Sequence, residues 1–245
     1  MKILSLFLAV LSGSALAQLE PLLVQPDELV LKADFAEAGA PSKEEWSPRQ
    51  STRWTIKDGV LHGMDSSDEY QATKTHHQGF EPRVSCPTTP REFAVRFRIR
   101  FSGGAQTPIA PFVEFGHHVA RVRFDEKEGL SLLADGETMK VAAAPEMKWK
   151  KGQWYRCLAE RKGEEFVIQF ENGPTLYARH PSYAKPVASG AAGFGVAGPK
   201  GGTVDLDDVE IWSIKAKENP GWAKTRGALP AVEPEQLKKK KAKKK

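Results

Sequence analysis

The chain has 245 residues, 40% hydrophobic and 27% charged, an ordinary globular balance with enough apolar side chains to fill a sizeable core. Its net charge of +5 is concentrated: seven lysines lie between Lys238 and Lys245, and Lys2 lies at the other end, which leaves 28 basic against 31 acidic residues between them. A slightly acidic body argues against a nucleic-acid-binding fold and for a basic tail on a near-neutral domain.

Residues 1–17 have the three-part design of a secretory signal: Lys2, an apolar run from Ile3 to Leu11, and small residues at Ala15 and Ala17. The run is too short to span a bilayer, and no later segment is apolar enough to do so. The expectation is export to the periplasm or the medium, with Gln18 as the new first residue. Residues 18–26 read as a lead-in.

From there the chain reads as strands. Leu29 to Phe35 is the first, and Trp54 to Gly63 is a hairpin around Asp58-Gly59. The segments Glu37 to Trp46 and Asp68 to Phe80 read as short helix or irregular loop. The clearest strand runs from Glu92 to Phe101, where Phe93, Val95, Phe97, Ile99 and Phe101 alternate with Ala94, Arg96, Arg98 and Arg100. That period of two puts one apolar and one basic face on the strand. Ala120, Val122 and Phe124 alternate with Arg121 and Arg123 in the same way. Gly129–Ala134, Trp154–Arg161, Glu165–Glu171, Thr175–Arg179, Ala192–Ala197 and Thr203–Ile214 complete the set, punctuated by Gly, Asn and Asp. Many short strands at regular spacing predict an all-β, two-sheet antiparallel sandwich over residues 27–214. Residues 215–245, with Pro220, Pro230, Pro234 and the lysine run, read as a linker and disordered tail, from which Trp222 is placed to dock back.

Three stretches carry a resemblance. Trp54-Thr55-Ile56-Lys57-Asp58-Gly59-Val60-Leu61 resembles the opening hairpin of bacterial concanavalin A-like jelly rolls. Trp154-Tyr155, Lys162-Gly163 and Asn172-Gly173 resemble their central hairpin, and Gly193 to Val196 with Asp207-Asp208-Val209-Glu210-Ile211 their closing pair. Within that superfamily the chain is most similar to the secreted 3-keto-disaccharide hydrolase family. The resemblance implies a jelly-roll fold, carbohydrate binding and hydrolysis of a modified disaccharide or glycan. The family's central Asn-Ser-Gly and Tyr-Glu stretches are not matched. The corresponding region, Pro111 to Arg123, holds Glu114, His117 and His118, with arginines where the acid is expected.

Glu114 and His117 are therefore the candidates for general acid–base work. Arg96, Arg98, Arg100, Arg121 and Arg123, with Trp149 flanked by two lysines, are candidates for binding an acidic or sulfated glycan, since guanidinium forks suit carboxylates and sulfates. The competing reading pairs the arginines with acids on neighbouring strands. Asp205, Asp207 and Glu210 loosely echo the acid spacing of sandwich glycosidases, while solvated acids on a closing strand are the plainer reading. Asp34 and Asp208 are candidates for a structural calcium; no other cofactor is expected, and no His spacing suits zinc. Cys86 and Cys157 form a disulfide after export or stay as buried thiols. The lysine tail suits an anionic envelope polymer. A non-enzymatic envelope scaffold is the alternative to a glycan-binding protein.

Overall fold

The computed structural model describes residues 19–136, 138–185, 193–230 and 232–237. The expected signal segment and the lysine run from Lys238 lie outside the described residues. Sixteen strands are described. The first are β1 (Val24–Ala33), β2 (Ser47–Pro48), β3 (Arg53–Lys57), β4 (Val60–Met64), β5 (Arg83–Cys86), β6 (Phe93–Ala105), β7 (Phe112–Phe115) and β8 (Ala120–Asp125). They are followed by β9 (Gly129–Ala134), β10 (Met139–Ala144), β11 (Trp154–Lys162), β12 (Glu165–Phe170), β13 (Thr175–Arg179), β14 (Phe194–Ala197), β15 (Lys200–Glu218) and β16 (Glu235–Gln236). Two helices, α1 (Asp68–Ala72) and α2 (Trp222–Ala228), lie outside the sheets.

The strands form two eight-stranded antiparallel sheets. The first runs β13-β12-β11-β6-β15-β4-β3, with β1 alongside the second half of β15. The second runs β16-β10-β9-β8-β7-β14-β5-β2. Alternation dictates the packing. Phe93, Phe97 and Phe101 of β6 face Phe115 of β7, Phe124 of β8 and Phe194 of β14 across the interior, all buried. Phe115 is the hub, with ring centroids 4.9 Å from Phe166 and 5.8 Å from Phe93 and Phe194. The molecule is a two-sheet jelly-roll sandwich, the architecture implied by the concanavalin A-like resemblance. The Asp58-Gly59 turn forms as expected, both residues at positive φ, which matches the twist of the flanking strands.

The arginines of β6 meet the acids of β15 one for one. Arg100 lies opposite Asp205, Arg98 opposite Asp207 and Arg96 opposite Glu210. Between the last two pairs Asp208 adopts φ 48° at a register shift. This extra residue lets both Leu206 and Val209 face the core while Asp207 and Glu210 face out.

Both ends of the described chain differ from expectation. The lead-in is part of the fold: Leu23 and Val24 are fully buried, and β1 starts at Val24. The fully buried Glu160 of β11 accepts the backbone N–H groups of Leu22, Leu23 and Val24 at 2.8–2.9 Å. Burial pushes its carboxyl up to about 7, against the pull of those three donors. At the other end β15 continues to Glu218, α2 buries Trp222 completely, and β16 pairs with β10. Composition placed a disordered linker from residue 215 because prolines and charge dominate it. One indole, 3.4 Å from Glu165 and edge-on to Tyr177, together with a short strand pairing, ties the segment down.

Cys86 of β5 and Cys157 of β11 stand on different sheets and are buried free thiols. Trp149 is buried rather than exposed, edge-on to Phe101 at 5.9 Å. Its backbone N–H donates to the Asp125 carbonyl, which turns the ring inward and the flanking lysines out.

Candidate functional site

The five arginines do not form one patch. Arg96, Arg98 and Arg100 stand on the outer face of the first sheet, Arg121 and Arg123 on the outer face of the second. On the first sheet, Arg100 donates from Nε to Asp205 at 2.8 Å, Arg98 to Asp207 at 3.0 Å and Arg96 to Glu210 at 3.0 Å. This favours the competing reading: the basic face is neutralised by its own strand partner. Asp205 also meets His62 Nδ1 at 2.5 Å. The indole of Trp154 lies under Arg98 and Arg100, 4.8 and 4.6 Å from their guanidinium carbons. The glycosidase-like acids Asp205, Asp207 and Glu210 are thus the neutralising half of a structural ladder.

Asp34 and Asp208 line one cavity of about 300 Å³, together with Arg98 and Arg156. Asp208 is paired with guanidinium groups, Arg98 at 3.3 Å and Arg156 at 3.8 Å. Among the described residues no group of three His, Cys, Asp or Glu side chains is placed to hold a metal ion. Among the described helices none is long and apolar enough to cross a membrane.

The second sheet brings the two candidate catalytic residues together. Glu114 sits mid-sheet on β7, its side chain pointing away from the core because Val113 and Phe115 point in. The turn after β7, with Gly116 and His118 at positive φ, folds His117 back over it. Glu114 accepts from Arg121 of β8 at 2.8 Å and from Arg49 at 3.2 Å, and His117 Nδ1 lies 3.5 Å away. Burial opposes the charge on Glu114. The hydrogen bond from His117 and the Arg121 guanidinium outweigh it and hold the carboxyl at about 2. Glu114 is therefore a permanent carboxylate and cannot donate a proton near neutrality.

His117 is contested. Its Nδ1 is 3.1 Å from Arg49 Nη1 as well as 3.5 Å from Glu114. The tautomer decides which it serves: with its proton on Nδ1 it donates to Glu114, and without it Nδ1 accepts from Arg49. Of the cluster, Arg49 and His117 are the members that solvent reaches, each about a quarter exposed, while Glu114 and Arg121 are buried. Arg123 is engaged with Glu128 at 2.7 Å and the Pro108 carbonyl at 3.1 Å.

Cross-strand register sets Glu114 in a transverse row. Ser85 of β5, Gly195 of β14, Glu114 and Arg121 lie side by side on one face. The next row is Arg83, Ala197, Phe112, Arg123 and Ser131. A Cβ on Gly195 would stand 3.4 Å from Glu114 Cγ and 3.0 Å from the Val84 carbonyl oxygen, so the missing side chain keeps the floor beside Glu114 low. Phe112 lies beneath Arg121, whose guanidinium carbon is 3.6 Å from the ring centroid. All four residues of the Glu114 row are buried, and Arg49 and His117 stand between the row and solvent; this group is termed the trough.

Sequence reasoning missed Arg49, Arg83, Ser85 and His62. Arg49 sits 65 residues from Glu114 in a segment without periodicity, and no local pattern marks it. The glycine within the closing Gly-x-Gly motif was the one available signal for the floor.

Together these features describe a two-sheet sandwich with a buried polar row on the outer side of its second sheet, reached by solvent at Arg49 and His117. No protein-family model matches the sequence, and no curated protein does. Solved structures are similar in backbone. One is SCLam, a non-specific endo-β-1,3(4)-glucanase from family GH16, at 10% identity over 80% of this chain and 95% of that one, with a TM-score of 0.49. Another is a glycosyl hydrolase family 16 protein from Mycobacterium smegmatis, at 13% identity over 76% and 100%, TM-score 0.49. A third is the carbohydrate-binding module CBM66 from Bacillus subtilis, at 12% identity over 69% and 96%, TM-score 0.39.

Proposed function

We propose that this chain is an exported carbohydrate-binding sandwich that takes a glycan across the outer face of the second sheet. The observation that carries the reading is the transverse row Ser85-Gly195-Glu114-Arg121. A sugar ring needs a low floor, an acceptor fixed in its ionised form and donors that reach solvent. Gly195 and Glu114 lie buried beneath, so contact with the sugar falls to Arg49 and His117, which Glu114 holds in place. An acidic sugar suits the partly exposed guanidinium of Arg49. The expected signal segment supports export, and the lysine run is proposed to hold the protein on an anionic envelope polymer.

Binding is put before hydrolysis because Glu114, held as a carboxylate, has no proton to give a leaving group and could act only as nucleophile or base. A hydrolytic role would fall to His117, the partly exposed titratable group beside it. A glycan array read with the wild-type chain and with Arg49→Ala tests binding. A hit weakened by about tenfold in the variant supports the trough, whereas an array without hits leaves the envelope scaffold as the better reading. Release of reducing or keto sugar from a bound glycan, abolished in His117→Ala, would mark an enzyme.

A further inference from the structure

We infer that a cleft at one end of the sandwich, on the side of the first sheet, is a second saccharide site separate from the trough. It lies between the loop before β11 and the turn joining β12 to β13, and its volume is about 590 Å³, within the range of small-molecule sites. Trp154 and Arg156 of β11 form one wall, Glu171 and Asn172 of the turn the other, and Lys148 and Gln153 complete it.

Two observations point to the ligand. Glu171 Oε1 is buried without a hydrogen-bond partner, and Arg156 Nη1 is a salt-bridge neighbour at 3.5 Å. The Glu171 side chain is still about a fifth exposed at the cleft wall, and a sugar hydroxyl donates to a carboxylate placed there. Trp154 is only partly buried, and its ring is held by the guanidinium groups of Arg98 and Arg100. An indole fixed at a cleft wall gives the apolar side of a pyranose a surface to lie on. Lysine and arginine beside glutamate supply donors and acceptors in near balance, which suits a neutral sugar. A polyanion would be repelled by the Glu171 carboxylate at the cleft wall.

The same Arg156 also lines the cavity of about 300 Å³ that holds Asp208 and Asp34. The two cavities flank one guanidinium, so a longer neutral oligosaccharide extends from the cleft over the first sheet. This inference shares its ligand class with the proposed function but none of its residues.

Saturation-transfer NMR and calorimetry on the full chain test it, with cellobiose, maltose, lactose and cellotetraose as probes. At least one neutral disaccharide is expected to bind, about tenfold more weakly to Glu171→Gln. Cellotetraose is expected to bind more tightly, and Arg156→Ala to remove that gain. Trp154→Phe, which keeps a ring against the arginines, should weaken binding less than Trp154→Ala. No binding by any probe up to tens of millimolar overturns the inference. So does binding that Glu114→Gln abolishes while Glu171→Gln leaves it intact, since the sugar would then sit in the trough. Loss of array binding in Arg49→Ala with cleft binding intact would separate the two sites.

Discussion

The two outer faces of the sandwich use the same residue types differently. On the first sheet each arginine of β6 meets the acid that strand register puts opposite it, and the charges cancel row by row. On the second sheet a single buried glutamate gathers Arg121 from the neighbouring strand, Arg49 from a distant segment and His117 from a turn. Charges that register alone would pair report how a sheet is assembled. Charges collected from segments far apart in sequence, around one buried group, need a second explanation, and a ligand is the one proposed here.

Removing the acid from each face should separate them most sharply. Glu114→Ala leaves the buried Arg121 and the half-buried Arg49 without this carboxylate, and breaking a buried pair costs about 3–5 kcal/mol. Asp207→Ala on the ladder, where Arg98 keeps Asp208 within 3.3 Å, should cost under about 1 kcal/mol. Urea unfolding measures both. Equal losses would erase the distinction between the faces.

The pH dependence of stability sharpens the contrast, because two buried carboxyls work in opposite directions. Glu114, held at about 2 from an ordinary value near 4.5, stabilises the fold above that ordinary value, and its contribution disappears as pH falls towards 2. Two and a half pH units correspond to about 3 kcal/mol. Glu160, pushed up to about 7, contributes fully below its ordinary value and loses that contribution as pH rises through about 7, again on the order of 3 kcal/mol. Glu114→Gln should flatten the acid limb of the stability profile and Glu160→Gln the neutral limb. A profile unchanged by either substitution would show that the carboxyls titrate normally.

Much of the fold is legible in the sequence, because phenylalanines alternate with arginines in β6 and an Asp-Gly pair fits the turn it occupies. Less legible were the elements whose stability is tertiary. β10 is half alanine and β5 is four residues long, so neither shows a period. α2 is held by one buried indole rather than by its own helical pattern. Of the site, Glu114 and His117 could be picked out as a glutamate and a histidine beside a turn. Arg49 could not, since its partnership depends on how a loop crosses the edge of the sheet. The five arginines could be seen to alternate, but which sheet each strand joins is a property of topology, and it split the patch in two.

Gly195→Ala should act on the trough alone. The added methyl would press 3.0 Å from the Val84 carbonyl and 3.4 Å from Glu114, so the neighbours must give slightly, at a cost of about 1 kcal/mol. Glycan retention should fall further than stability does. A variant that retains glycan like the wild type would remove the floor from the proposed site.

The smallest effect tests the ladder itself. Cross-strand ion pairs in partly exposed positions contribute about 0.2–1 kcal/mol, and like charges placed opposite each other cost a similar amount. Arg98→Asp should therefore destabilise by about 1 kcal/mol, and so should Asp207→Arg, while the double exchange should restore most of the loss. Recovery in the double variant identifies a pair coupled through register. If the two losses simply add, Arg98 has its working partner elsewhere, with Asp208 and the Trp154 ring as the neighbours in reach. The first face would then resemble the second, with a charge cluster arranged for something other than strand pairing.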